Sequence, residues 1–290
     1  MVNSRDKLMG KKIVVVGGTS GIGHGAALAF LEHGAHVTII SSSEQRVNSV
    51  VKAVDNPNLE GKVGNVREED SFIELLRSLA PMDHLVFSGV DKTFLLTAVA
   101  LALLAYRLIQ HRDQQKLIPT TRHQIIRGAI AEFNFDECKH LFGVKFWGSA
   151  ICGKAAAKYD IINRGGSLTL TSGTGAMNPG KTASIGGALN AGLFTMTQGL
   201  ANELAEKRIR VNCVVPGVVA TELWDKMMDK PKEEQMKVLE GMGDKLPVGF
   251  CATGEHIAEA YLYAVRADYA TGSLITIGML STIDLGLDAD

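Results

Sequence analysis

Apolar residues along this chain follow two alternating rhythms. Short β-branched runs, beginning with Ile13-Val14-Val15-Val16, read as strands buried on both faces. His36–Ser41, Gly61–Val66, His84–Ser88, Ser167–Ser172, Arg210–Val215 and Ser273–Ile277 continue the series. Between them lie stretches with helical spacing, among them Glu69–Leu79, Cys138–Tyr159 and Ser184–Ala205. Each predicts a helix with one buried stripe. Such alternation predicts a parallel sheet covered by helices on both faces, a three-layer, doubly wound α/β architecture. No internal repeat or long flexible linker interrupts it, so a single domain over residues 1–290 is expected.

One stretch breaks the rhythm. Phe94–Ala105 is almost wholly apolar and lies between Lys92 and Arg107. Basic Arg107, His111, Arg112, Lys116, Arg122 and Arg127 follow it. A bilayer span needs roughly 20 apolar residues, and shorter runs are usually buried helices. The preferred reading of this insertion, residues 93–124, is a helix packed on the domain or a partner. Membrane contact through Phe94–Ala105 is a second reading. A third is a segment foreign to the fold, such as translated intron sequence.

Composition narrows the function classes. With 46% hydrophobic residues, the chain can bury a full core. A net charge of -1 gives no support to a nucleic-acid partner. Cys138, Cys152, Cys213 and Cys251 include no Cys-x-x-Cys pair, which fits a reducing compartment. The histidines show no metal-ligand spacing. The segment Met1–Lys7 is polar and has no apolar signal core, so a cytoplasmic address is expected.

The chemistry begins where the first strand ends. Gly17-Gly18-Thr19-Ser20-Gly21-Ile22-Gly23 joins that strand to the helical run Ala26–Leu31. Glycines permit φ > 0 and close approach of a ligand, and the helix N-terminus offers unpaired N–H groups to phosphates. Gly17, Thr19, Ser20, Gly21, Ile22 and Gly23 are therefore the expected pyrophosphate contacts.

This loop, with later landmarks in the same order, resembles the short-chain dehydrogenase/reductase family. Asn65-Val66 sits where the family has the Asp-Val step that touches adenine. Leu85–Gly89 stands at the family's Leu-Val-Asn-Asn-Ala-Gly, with both asparagines missing. Ser172 ends the fifth strand, where the resemblance implies a catalytic serine. Pro216-Gly217-Val218-Val219-Ala220-Thr221 matches the Pro-Gly-x-x-x-Thr loop. The resemblance implies that this loop holds the nicotinamide carboxamide and pyrophosphate, through Pro216, Gly217, Val219 and Thr221. It covers nearly the whole chain outside the insertion, and it implies a Rossmann-like fold.

The choice of dinucleotide can be argued physically. An acidic residue ending the second strand accepts hydrogen bonds from the ribose of NAD and repels a 2′-phosphate. Here Ser41-Ser42-Ser43 occupies that place, and Arg46 follows one turn on. Hydroxyls and a guanidinium bind phosphate. NADP(H) is therefore the expected cofactor, although Glu44 could turn toward a ribose. Ser43 could instead cap the next helix, leaving Arg46 as a surface charge.

The family's catalytic pair is absent. Counting back from Leu193–Ala201 puts Asn190 at the lysine and Gly186 at the tyrosine of Tyr-x-x-x-Lys. No tyrosine lies between Tyr159 and Tyr261. Phe146-Trp147-Gly148 puts Lys145 at the position of the family's asparagine. Ser172 and Lys145 remain as the candidate catalytic residues, with Thr174 beside them. Lys181 and Ser184 are weaker candidates, and Ser184 could simply cap the helix. Thr169–Thr174 and Glu222-Leu223-Trp224 resemble a fungal subgroup that also lacks the pair and acts on secondary metabolites. That resemblance implies iminium reduction or cyclisation, with a basic residue at Lys145. The subgroup's acidic residue near Lys181 is missing.

General acid catalysis matters when a neutral carbonyl becomes an alkoxide. A cationic iminium needs no proton, and an enone is less demanding. The expected function is NADPH-dependent reduction of a bulky iminium, enone or carbonyl, a small-molecule substrate. The alternative is a cofactor-bound non-redox protein: a scaffold, cyclase or isomerase. A homo-oligomer through Cys138–Tyr159 and Ser184–Ala205 is also expected.

Overall fold

A computed structural model describes residues 6–90, 130, 135–179, 183–221 and 231–278. The apolar insertion and Lys181 lie outside the described residues, as do Glu222-Leu223-Trp224.

Seven parallel strands form one sheet in the order β3-β2-β1-β4-β5-β6-β7. They are β1 (Lys12–Val16), β2 (His36–Ser41), β3 (Leu59–Val63), β4 (Met82–Phe87), β5 (Ile162–Thr171), β6 (Arg210–Pro216) and β7 (Leu274–Ile277). The helices are α1 (Gly21–Glu32), α2 (Glu44–Val54), α3 (Glu69–Ser78), α4 (Phe135–Lys158), α5 (Ser184–Glu203), α6 (Lys232–Gly243) and α7 (Gly254–Arg266). The expected doubly wound, three-layer sheet is what the chain forms.

Alternation along the strands fills two cores. Val14, Val16, Leu85, Phe87, Leu168, Leu170, Val211 and Cys213 pack with Phe72 and Leu76 of α3 and Cys152 and Ala155 of α4. On the other face, Ile13, Val15, Val37, Ile39, Val86 and Val214 meet Ala26 and Phe30 of α1 and Ile257, Tyr261 and Val265 of α7. Both faces of each central strand are covered, which explains the unbroken β-branched runs.

Several boundaries move. The third strand was expected at Gly61–Val66 but pairs over Leu59–Val63. Gly64 N–H then donates to Ser41 C=O and the chain turns away. Val66 is still buried, because it packs into the α3/α4 core as a loop residue. Ser184 was a candidate cap, but it is the first helical residue of α5 and Ala183 holds the cap position.

The far end of α7 is tied to the sheet by a buried arginine. Arg210 Nη1 and Nη2 donate to the carbonyls of Ala264 and Val265, both at 2.8 Å. No helix among the described residues is long and apolar enough to cross a membrane.

Candidate active site

Strand order reverses between β1 and β4, and ligands of such sheets bind outside the carboxyl ends of the strands at that point. The glycine loop, Ser172 and the Pro216–Thr221 loop all lie at those ends.

Gly17 has φ +84°, and a Cβ there would lie 2.8 Å from the Gly89 nitrogen. Only glycine lets β1 turn there against the chain leaving β4. Gly21, also at positive φ, opens α1. Ser20 holds the cap position without a side-chain capping bond. Thr19 is buried, Ser20 is exposed and Ile22 packs partly on the α1/α7 core. The result is a cradle of main-chain groups at a helix N-terminus.

At the end of β2, Arg46 Nη2 donates to Ser41 Oγ at 3.3 Å. Ser43 Oγ accepts from the Arg46 N–H at 3.4 Å and so caps α2. Ser42 is exposed. Arg46 Nε is buried and has no hydrogen-bond partner among the described residues. A buried guanidinium nitrogen without an acceptor is costly. A phosphate oxygen would satisfy it, so these residues fit a 2′-phosphorylated ribose.

Asn65 follows β3 and forms a local turn. Its Oδ1 accepts from Arg67 N–H at 3.1 Å, and its Nδ2 donates to Glu68 Oε1 at 2.8 Å. With Val66 in the core, the contact left for an adenine here is main chain. Beyond β6, Gly217 N–H donates to Ile277 C=O at 2.9 Å. Val219 bridges to Ala252, and Thr221 is the last described residue before residue 231.

The catalytic candidates meet between α4, the end of β5 and α5. Lys145 Nζ donates to Asn190 Oδ1 at 2.8 Å and to Ser172 C=O at 3.0 Å. Ser172 Oγ donates to Asn190 C=O at 2.8 Å. Lys145 is 8% exposed, Ser172 3% and Asn190 9%. Lys145 is therefore no snorkelling surface lysine. Burial pulls its ammonium down to about 8, and the Cys213 thiol opposes that shift. The Ser172 proton is committed to a helix carbonyl, which locks β5 to α5.

Gly186 lies one turn before Asn190 on α5 and is buried. Gly173 is partly exposed, and a Cβ on it would face the Asn190 amide, 3.6 Å from Nδ2. Two glycines thus flank the amide. Among the described residues, the tyrosine near these strand ends is Tyr261 of α7. It is buried, and its hydroxyl meets Thr171 Oγ1 at 2.6 Å. It packs in the core on the α1/α7 side, across the sheet from α3 and α4, so it lies on the other face of the sheet from Lys145.

Sequence reasoning placed Lys145 and Asn190 separately and missed their contact. The signal was available. The resemblance puts Lys145 at the family's asparagine and Asn190 at its lysine, which would make the two side-chain types change places.

A family model described as short chain dehydrogenase matches residues 11–86. One described as Enoyl-(acyl carrier protein) reductase matches residues 120–279, more than half the chain. Short-chain dehydrogenase/reductase fsr5 of Gibberella fujikuroi is 27% identical over 284 residues, covering 93% of each chain. Short-chain dehydrogenase/reductase ucsE of Acremonium sp. is 28% identical, over 92% of this chain and 94% of its own. The MalC reductase/Diels-Alderase from Malbranchea aurantiaca superposes with a TM-score of 0.71 at 24% identity, over 95% of this chain and 98% of its own. A small-chain dehydrogenase in complex with NADPH superposes with a TM-score of 0.64 at 24% identity, over 93% and 97%. The chain belongs to the short-chain dehydrogenase/reductase family of oxidoreductases.

Proposed function

We propose that this protein is an NADPH-dependent reductase of a bulky iminium, enone or carbonyl compound in secondary-metabolite biosynthesis. The observation that carries the reading is the buried Lys145 ammonium, bonded to Asn190 one helical turn from Gly186. The family's proton relay is missing, and a buried cation remains.

Ser41 and Arg46 would hold the 2′-phosphate, and the Gly17–Gly23 loop the pyrophosphate. Asn65 and Val66 would flank the adenine through their main chain. Pro216, Gly217, Val219 and Thr221 would line the nicotinamide end. When bound, NADPH supplies a hydride. An iminium carbon that accepts it becomes a neutral amine and needs no proton. A carbonyl or enone oxygen gains negative charge instead, which the Lys145 cation stabilises electrostatically. A glycine at 186 in place of the family's tyrosine would leave room for a bulky substrate. The relatives named fsr5, ucsE and MalC support a place in fungal secondary metabolism.

Stopped-flow absorbance at the NADPH band tests the reading with a panel of cyclic iminium ions, enones and ketones. Oxidation is expected with at least one class. Binding of NADPH without oxidation across the panel would favour a cyclase, isomerase or scaffold. The MalC reductase/Diels-Alderase structure supports that second reading, since one chain of this fold carries both names.

A homo-oligomer through α4 and α5 belongs to the same proposal. Trp147 of α4 is 56% exposed and stacks edge-on against Phe146. Light scattering of Trp147→Arg is expected to show a smaller species.

A further inference from the structure

Asn190 raises a question that the hydride reading leaves open. The residue is 9% exposed, and its amide is turned by the Lys145 ammonium, which donates to Oδ1 at 2.8 Å. An ammonium has only donors, so the acceptor end of the amide must face it. The NH2 end is thereby directed away from Lys145. It makes no hydrogen bond among the described residues, although the Asn190 main-chain carbonyl and Oδ1 are both used. The NH2 group lies 3.6 Å from where a Cβ on Gly173 would stand. Gly173 has no side chain to cover it, and Gly186 stands one turn before Asn190 on the same helix.

The NH2 group keeps an opening on the Gly173 side, where an acceptor can take its N–H without displacing a protein bond. Lys145 strengthens the same group, because an amide whose oxygen accepts from a cation becomes a better donor at nitrogen. We infer that Asn190 Nδ2 is the group that binds an oxygen acceptor of the substrate, and that Lys145 acts through it as a positioning residue. The acceptor class is a neutral carbonyl, ketone or amide, held above Gly173. This inference rests on the reductase reading for its setting and narrows the substrate to one that carries such an oxygen.

The test uses the full-length protein with bound NADP+, so that no hydride is available. The side-chain NH2 resonances of Asn190 are assigned by their loss in Asn190→Asp. Two bicyclic probes of similar shape are added: α-tetralone, which has a carbonyl, and N-methyl-dihydroisoquinolinium, which has no oxygen. A downfield shift of the Asn190 NH2 with α-tetralone, and none with the cation, is the expected result. A full shift with NADP+ alone would assign the donor to the cofactor and overturn the inference. So would an equal response to both probes, or none to either.

A second arm follows turnover with NADPH. Asn190→Asp keeps an acceptor for Lys145 and removes the donor. The ratio of kcat/KM for ketone over iminium is expected to fall by about 10²-fold, as for loss of one oxyanion-type donor. An equal loss on both probes would mark Asn190 as merely structural. Absence of NADPH oxidation in the native protein would count against the reductase reading alone, because the resonance shift is read without hydride transfer.

Discussion

Lys145 and Asn190 meet across the seam between α4 and α5, ammonium nitrogen to amide oxygen at 2.8 Å. By the resemblance, each would carry the side-chain type that the family has at the other's position. On the proposed reading, a lysine–asparagine pair is kept at the ends of the strands, with the charge supplied from the opposite helix.

On the proposed reductase reading, the buried ammonium makes carbonyl reduction sensitive to alkaline pH. Its pKa lies near 8, lowered by burial, so the cation is lost as pH rises through about 8. Ketone turnover is expected to fall there. Lys145→Met should remove that inflection and lower ketone turnover by about 10²-fold, the low end for loss of one electrostatic stabiliser. Stability has the opposite slope. The unfolded chain keeps the lysine proton up to its ordinary value near 10.5, so between about 8 and 10.5 the native protein gains stability with pH. Denaturant titrations at several pH values should show this gain in the native protein and not in Lys145→Met.

Arg46 should decide between the dinucleotides. Its buried Nε has no partner among the described residues, and its Nη2 reaches Ser41. Arg46→Ala is expected to weaken NADPH binding by about 10- to 100-fold, the range for hydrogen bonds to a charged group. NADH has no 2′-phosphate, so its affinity should not fall. Fluorescence titration with both nucleotides checks the contrast.

His84 carries an acid liability in the sheet. It is buried, Nδ1 meets Ser167 Oγ at 2.9 Å, and burial with the nearby Arg210 charge depresses its pKa to about 4. Lys11 acts in the same direction, while Asp83 and Asp268 oppose it. The unfolded histidine takes its proton near pH 6.5, well before the folded one. Stability is therefore full above about 6.5 and is lost as pH falls toward about 4. The loss from this one group is about 3 kcal/mol. Thermal melts of His84→Gln should show a shallower decline over that window.

Rebuilding the family's relay needs three substitutions. Gly186→Tyr with Asn190→Lys would set a second ammonium against Lys145, and like charges in a buried site repel. That double variant is expected to be less stable than the native protein. Adding Lys145→Asn should relieve the repulsion and give measurable reduction of simple ketones. NADPH oxidation with α-tetralone, read alongside melting temperature, checks both parts.

The periodic elements were legible because this sheet is buried on both sides. Runs rich in β-branched residues are foreign to polar loops, so Ile13–Val16, His36–Ser41 and Arg210–Val215 stand out directly. Gly61–Val66 was misplaced for a specific reason: Val66 is apolar because a loop residue fills the core, and periodicity cannot distinguish that from a strand end. The loss of the tyrosine and lysine was a matter of counting. The exchange of side-chain types hinted at the Lys145–Asn190 bond, but the bond itself depends on how far α4 and α5 stand apart. The orphaned Arg46 Nε and the Ser172 latch likewise depend on side-chain orientation, which no spacing encodes.

The attachment of α7 has one more consequence. Its first residue, Gly254, sits so close to the cofactor loop that a Cβ would be 2.6 Å from the Gly21 carbonyl oxygen. Its last turn is fastened by Arg210, and Tyr261 ties its middle to Thr171. The helix is thus clamped at three points, one of them on the nucleotide cradle. Occupancy of the cradle should reach the distant clamp mechanically: NADPH is expected to slow amide hydrogen exchange along α7 as far as Arg266, a readout of cofactor loading that requires no turnover.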